Sequence, residues 1–217
     1  MTAAASTIFD TPITTPGGCF TGSGCVNAGF TESSNNGFTI DIEALQRFVG
    51  PYIPIGNVYA VPTGTVAGNS IWGVTFSYST PTPLAGYVFG FMITDLSQPA
   101  SVTNPWTFSP TLIPDNSYWA GAGPKTTGTF AVNGGTSTIM QNSEAFSFAG
   151  IFPGFNPNAN DSYKVVATIT SVTGAPLDSD TIIINAGTAG TPEPVSIVLF
   201  SSGLIALGLV RRRLRKS

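Results

Sequence analysis

The feature that most constrains the fold of this chain is a succession of short apolar runs separated by stretches that contain glycine, proline or asparagine. The runs are rich in β-branched and aromatic residues and cover 38–45, 57–62, 70–78, 86–95, 127–132, 144–152, 162–172 and 180–186. In 38–45 (FTIDIEAL) and 162–172, apolar residues alternate with polar or smaller ones, as in a strand with one buried face. The pattern predicts an all-β domain over 31–186, an antiparallel β-sandwich of jelly-roll or Ig-like type.

Two stretches depart from this pattern. In 42–50 (IEALQRFVG), Ile42, Leu45 and Val49 share a helical face, so a two-turn helix ending at Gly50 competes with the strand. Residues 96–126 are rich in Pro, Ser and Asn and predict a long irregular loop, the kind of segment that often carries function.

The charge pattern excludes nucleic acid as a partner. Charged residues make up only 9% of the chain, and before residue 191 the cations are Arg47, Lys125 and Lys164. Binding to phosphates needs a basic stripe or patch, which this body lacks.

The absence of histidine limits catalysis. It removes the usual base of Ser-His-Asp and Cys-His sites and the commonest metal ligand. Two carboxylates would suffice for glycoside hydrolysis, and Glu32, Glu43 and Glu144 are the candidates, but nothing in the sequence brings any two together. We predict a protein that is not an enzyme and has no cofactor.

The two cysteines predict a small structural disulfide. Cys19 and Cys25 lie in a glycine-rich stretch (CFTGSGC) that is flexible enough to close the bond. The spacing is not that of a CxxC zinc or redox motif. We place both in a flexible N-terminal segment, residues 6–30, with free or intermolecular thiols as the alternative; a disulfide indicates an oxidising compartment.

Three aromatic residues in the predicted loop are candidates for stacking on sugar rings: Trp106, Tyr118 and Trp119. The competing interpretation is that they pin the loop onto the core, as buried aromatic residues do. Trp72, inside a predicted strand, is expected to be core.

Four residues offer oxygen ligands of the kind calcium prefers: Asn160, Asp161, Asp178 and Asp180. Neither segment has EF-hand spacing, and aspartates at turns are common without any metal. We therefore predict no metal site.

The C-terminus has the composition of a membrane anchor. Residues 195–210 carry no charge, and as a helix they would measure about 24 Å at 1.5 Å per residue, enough for a transmembrane helix in a thin bilayer. The basic tail 211–217 follows, with Arg211, Arg212, Arg213, Arg215 and Lys216. These cations stop translocation and keep the tail in the cytoplasm, with the body outside.

A short proline motif precedes this span. Pro192 and Pro194 hold Glu193 in an extended conformation beside the bilayer. The order of the PEP motif, apolar span and arginine cluster over 192–217 resembles the PEP-CTERM sorting signal of Gram-negative bacteria, although Thr191 stands where the family often has Val. The resemblance implies recognition by a membrane-embedded exosortase, anchoring in the inner membrane before processing, and then a location at the cell surface or outside the cell. Residues 187–191 form a linker.

The N-terminus supports export in a different way. Residues 1–5 end in Ala3-Ala4-Ala5, which has the small-x-small form of a signal-peptidase site. We interpret 1–5 as a remnant of a signal peptide whose start codon lies upstream of Met1; a disordered N-terminus is the alternative.

Together these features predict an exported surface or extracellular-matrix protein with a structural or adhesive role, for which exopolysaccharide is a candidate partner. The alternative is a carbohydrate-binding module or a carboxylate-dependent glycan-active enzyme on the cell surface.

Overall fold

Two sheets face each other across a shared apolar core in the computed structural model, which describes residues 6–15, 17–21, 25–46, 49–101, 104–147, 152 and 155–187. Among these residues, the larger sheet contains β1 (Ser6–Thr11), β2 (Phe30–Asn35), β3 (Phe38–Gln46), β4 (Gly50–Pro51), β8 (Trp72–Ser79), β11 (Asn116–Trp119), β12 (Thr126–Gly128) and β13 (Ile139–Ala145). The smaller sheet contains β5 (Val58–Val61), β9 (Tyr87–Asp95), β10 (Trp106–Phe108), β14 (Ser162–Ser171) and β15 (Pro176–Ala186). The predicted all-β architecture is confirmed.

Short elements lie between the strands of the two sheets. Strands β6 (Thr65–Val66) and β7 (Asn69–Ser70) form a separate hairpin. The described helices are the 3₁₀ turns Leu84–Gly86 and Pro110–Leu112 and the single-turn α1 (Phe130–Asn133). None of the helices in the described ranges is long and apolar enough to cross a membrane, and the predicted span 195–210 lies outside those ranges.

The strand order is β1-β2-β3-β8-β13-β11-β12 in the larger sheet, with β4 paired to the end of β3, and β10-β9-β14-β15-β5 in the smaller sheet. Among the described strands, the pairing of β5 with β15 is parallel, and the other pairings are antiparallel. The antiparallel arrangement lets neighbouring strands connect through tight turns such as that at Asn36 and Gly37, where both residues have positive φ.

The alternation seen in the sequence places the core between the sheets. Every second residue of β8 and β9 belongs to the core cluster: Trp72, Val74, Phe76 and Tyr78 on β8, and Phe89, Phe91 and Ile93 on β9. Trp72 is 1% exposed, as expected, and its ring lies 4.7 Å from that of Phe146 and 5.7 Å from that of Tyr163.

The helix that competed for residues 42–50 does not form. Ile42 and Leu45 lie in β3, which pairs with β8 from Thr39 to Gln46. Backbone bonding along a central strand and burial of one face outweigh the local preference of a two-turn segment for helix.

Two boundaries also differ from expectation. The predicted loop 96–126 contains β10 and β11, so much of it belongs to the sheets. Residues 6–11, assigned to a flexible segment, form β1 and pair with β2. The sandwich therefore starts before residue 31, because STIFDT has the β-branched composition that suits an edge strand.

The described residues between β1 and β2, namely 12–15, 17–21 and 25–29, lie against the outer face of the larger sheet; we call them the strap. The Phe20 N–H donates to Gln141 Oε1 at 2.9 Å, and Gln141 Nε2 donates to the Gly18 carbonyl at 2.9 Å. Thr14 Oγ1 donates to Glu32 Oε2 at 2.6 Å. Side chains of the sheet thus bind the backbone and side chains of the strap.

The predicted disulfide is present in the strap and joins Cys19 to Cys25. Beside it, Lys125 Nζ donates to the Gly17 carbonyl at 3.1 Å and lies 4.5 Å from the centre of the Phe20 ring. The cross-link and these contacts hold one end of the strap against β11 and β12.

Candidate functional site

A pocket of about 470 Å³ opens at one end of the smaller sheet. Residues from three strands and two loops line it, among them Asp95, Gln98, Asn104, Trp106, Asn156, Asp161 and Tyr163. We call it the Trp106 pocket. Its volume lies in the range of small-molecule sites, roughly 300–1,000 Å³.

Strand register brings the pocket residues together. Asp95, the last residue of β9, is the direct partner of Tyr163 on β14, and Trp106 on β10 pairs with Ile93 on β9. Ile93 faces the core, so Trp106 and Asp95 also lie on the inner face, where the apolar core gives way to polar residues at the end of the sheet.

Asn104 closes the loop that forms one wall of the pocket. Its Oδ1 accepts from the Asp95 N–H at 2.9 Å, and its Nδ2 donates to the carbonyls of Asp95, Gln98 and Pro99 at 2.9, 3.2 and 3.3 Å. The next peptide bond, Asn104–Pro105, is cis. Because the amide is 5% exposed and fully bonded, the wall is formed before any ligand arrives.

Two acidic side chains meet at one hydroxyl. Ser97 Oγ lies 2.6 Å from Asp95 Oδ1 and 2.6 Å from Asp161 Oδ1. The Ser97 N–H also donates to Asp95 Oδ1 at 2.9 Å, and the Tyr163 hydroxyl donates to Asp161 Oδ2 at 3.3 Å. Burial raises the pKa of Tyr163, and Asp161 and Asp95 raise it further, so this phenol remains a proton donor. The wall is therefore rich in negative charge.

Trp106 supplies the aromatic surface of the pocket. It is partly buried and its ring centre lies 6.1 Å from that of Phe152. Its Nε1 is buried, with no hydrogen-bond partner in the described parts of the chain. A ligand would therefore contact the ring carbons of Trp106 rather than its N–H.

The three aromatic residues proposed for sugar stacking do not form one site. Tyr118 is fully buried on β11, so its prediction as a glycan contact is wrong: it faces the core, and its hydroxyl accepts a bond from Asn116 Nδ2 at 3.3 Å. Alternation along β11 could not show this, because either face of a strand can carry an aromatic residue.

Trp119 lies at the other end of the sandwich. It pairs with Ile139, which pairs with Ser79 at the end of β8, whereas Trp72 at the start of β8 contacts Tyr163 of the pocket. Its Nε1 donates to the Gly123 carbonyl at 3.0 Å. Trp119 therefore packs against Phe20 of the strap on the outer face of the larger sheet. The competing interpretation, that it pins the loop onto the core, is wrong for this residue.

The residues considered for calcium are also separated. Asp178 and Asp180 lie buried on the inner face of β15, while Asp161 lies in the Trp106 pocket beside the exposed Asn160. Within the described ranges, no group of three or more acidic or cysteine side chains is arranged to hold a metal ion.

The three glutamates considered for catalysis lie outside the pocket. Glu32 and Glu43 are buried on the outer face of the larger sheet. Glu144 lies on the inner face of the same sheet, because it pairs directly with Val74, which faces the core. Sequence reasoning missed Asp95, Ser97 and Asn104. The available signal was the polar run at the end of a strong strand, TDLSQP (94–99), with NPW five residues further along (104–106).

A second group of acidic residues is buried between the strap and the larger sheet. Asp41 and Glu43 are 0% exposed on β3, and no described group bonds their carboxyl oxygens or Thr75 Oγ1 in good geometry. Burial raises the pKa of Asp41 well above its usual range, and the neighbouring Glu32 raises it further against the opposing effect of the Ser77 hydroxyl. Burial raises the pKa of Glu43 to about 9. Glu43 is therefore a neutral acid at neutral pH.

Comparison with known proteins gives no match: no family model fits the chain, and no curated protein or solved structure is significantly similar to it. The interpretation of the site therefore depends on its own geometry.

Proposed function

We propose that the chain is an exported bacterial surface or extracellular-matrix protein with a structural or adhesive role, delivered through its C-terminal signal. The observation that carries this proposal is the sequence of 192–217, in which Pro192, Glu193 and Pro194 precede an uncharged span and a block of cations. The disulfide in the strap supports it, because such bonds persist in oxidising compartments.

In this proposal a membrane-embedded exosortase recognises the PEP motif. The 195–210 span holds the protein in the inner membrane until the tail is processed, and the sandwich then reaches the surface or the surrounding matrix. Low charge with many Ser, Thr and Asn residues suits a protein that works among polysaccharides and packs against neighbours without strong repulsion.

The test is intact-mass analysis of protein recovered from the envelope and medium of its host. We expect a mature form without the basic tail, and we expect this form to disappear in the triple variant Pro192→Ala/Glu193→Ala/Pro194→Ala. Thr191→Ala, one position before the motif, is the control and should be processed normally. A mass that retains the arginines in all three proteins would mean that the tail is only an anchor.

The Trp106 pocket favours a second candidate function, carbohydrate binding by the displayed domain. An aromatic ring, two acidic side chains and the exposed Gln98 and Asn156 amides around one pocket match what a sugar requires: an apolar surface for its ring face and polar partners for its hydroxyls. A glycan-active enzyme would use the same pocket, with Asp95 and Asp161 as the carboxylate pair.

Glycan-array binding with two tryptophan variants tests this second function. Trp106→Ala should abolish binding, whereas Trp119→Ala, the same change at the other end of the sandwich, should not. Gln98→Ala, at an exposed lining position, should weaken binding without unfolding risk. Binding without turnover supports a module, and turnover lost in Asp161→Asn supports an enzyme. Binding that survives Trp106→Ala in a folded protein would exclude this pocket.

A further inference from the structure

We propose that the Trp106 pocket selects a glycan with a free amino group, that is, an unacetylated amino sugar. This inference rests on the proposed carbohydrate binding and adds the class of sugar. The reason lies in the charge of the pocket wall and in the geometry around Ser97.

The pocket has two acidic side chains and no basic one among its lining residues. Asp95 is 6% exposed, and Asp161 is half-buried beside it. Lys164 follows Tyr163 in β14 and pairs with Thr94, so it projects from the opposite face of the sheet. Negative charge that is partly removed from water and lacks a positive partner is unfavourable, and a cationic ligand would offset that cost.

The contacts of Ser97 identify where the positive charge belongs. A serine hydroxyl has one proton and can donate one hydrogen bond at a time. Ser97 Oγ is nevertheless 2.6 Å from both Asp95 Oδ1 and Asp161 Oδ1. At least one of the two carboxylates therefore receives no bond from the Ser97 hydroxyl, and an ammonium group, with three N–H donors, can donate to its oxygen.

The rest of the pocket fits the remainder of a sugar. The ring carbons of Trp106 offer a surface to the C–H face of a pyranose and attract an adjacent cation. The amides of Gln98 and Asn156 are exposed and can bond hydroxyl groups. A neutral or acetylated sugar could use Trp106 and the amides but would leave the acidic pair without a partner.

The experiment is calorimetric titration of the purified full-length protein, in a detergent without a sugar headgroup and with a chelator present. Three six-residue oligosaccharides are compared: β-1,4-glucosamine, its fully N-acetylated form and cellohexaose. We expect the glucosamine oligomer to bind about tenfold or more tightly than the other two, the factor that one charge-assisted bond gives. The preference should weaken as salt is raised.

Two variants remove the negative charge without changing shape. Asp161→Asn, and separately Asp95→Asn, which keeps the oxygen that accepts from the Ser97 N–H, should each lower affinity for the glucosamine oligomer about tenfold and leave the weaker binding of the acetylated oligomer unchanged. Asp10→Asn, at an exposed position on β1, is the control. Either variant alone is sufficient if the other fails to fold.

The outcomes separate the inference from the function on which it rests. Equal binding of all three oligosaccharides that is lost in Trp106→Ala but kept in both Asp variants overturns the amino-sugar inference and leaves carbohydrate binding standing. Failure of every oligosaccharide to bind overturns both. Binding that requires added Ca²⁺, or titration of Ca²⁺ alone that is lost in Asp161→Asn, would show that the acidic pair holds a metal and would also overturn the inference.

Discussion

The Ser33 hydroxyl on β2 donates a hydrogen bond of 2.7 Å to Oδ1 of Asp178 on β15, and so joins the two sheets within the interior of the sandwich. Burial raises the pKa of Asp178, while the bonds from Ser33 and from the Ser179 N–H lower it. The second carboxyl oxygen, Oδ2, is buried without a partner in the described part of the chain. Ser33 is therefore the side chain that makes burial of this acid tolerable.

Removing that donor should destabilise the fold. We expect Ser33→Ala to lower the free energy of unfolding by about 1–3 kcal/mol, the cost of leaving a buried polar group without its bond. Urea titration at pH 7 measures the change. Ser179→Ala, at an exposed neighbouring position on β15, should shift the midpoint little. Equal effects of the two substitutions would show that the inter-sheet bond contributes nothing.

Stability should depend on pH through Asp180. Burial raises the pKa of this carboxyl from 3.8 to about 7, so the folded protein holds a proton that the unfolded chain releases. The contribution of the protonated Asp180 to the free energy of unfolding is therefore fully present below about pH 4 and is lost as the pH rises to about 7. In Asp180→Asn, which keeps the oxygen that accepts from the Thr181 N–H, the loss of stability over this window should be smaller by about 1.4 kcal/mol for each unit of raised pKa that is removed.

Thermal or urea unfolding of both proteins at several pH values tests this expectation. Asp10→Asn, the exposed control, should reproduce the profile of the original chain. A profile in Asp180→Asn that is parallel to the original from pH 4 to 7 would contradict the raised pKa of Asp180.

Glu43 should also make the stability of the fold depend on pH, up to a higher pH than Asp180 does. Its pKa is raised by burial from 4.5 to about 9, so its stabilising contribution declines over that whole range. We expect Glu43→Gln to match the original chain near pH 4 and to exceed it by at least about 1 kcal/mol at pH 9, because the variant has no charge to bury. Denaturant titration at these two pH values is sufficient. A variant that is less stable than the original at both would show that the carboxyl has an essential partner.

The disulfide should stabilise the strap locally more than it stabilises the core. Replacing Cys19 and Cys25 by serine should lower the free energy of unfolding by about 2 kcal/mol, the chain-entropy value for so small a loop. The local effect should be larger: hydrogen exchange of the Phe20 amide, which bonds Gln141, should speed up while amides in β8 and β14 change only with global stability. Equal changes at all of these amides would contradict separate opening of the strap.

Local features of the sequence predicted the class of fold well. Alternation along 38–45 and 162–172 predicted strands β3 and β14, and the turn residues indicated where the strands end. The glycine-rich stretch between Cys19 and Cys25 predicted the disulfide. Each of these depends on residues that are close along the chain. The export signal at 192–217 is of the same kind and stays a prediction, since it lies outside the described residues.

Which strands pair, and in what register, is decided only by the tertiary structure. The acidic pair of the Trp106 pocket comes from residues 95 and 161, and its aromatic wall from residue 106; they meet because β9 pairs with β14 on one side and β10 on the other. The burial of Tyr118 and the strand at 42–46 have the same origin. Periodicity shows that one face of a strand is buried, but the free energy that selects its partners comes from contacts between residues far apart in the chain, which local sequence does not encode.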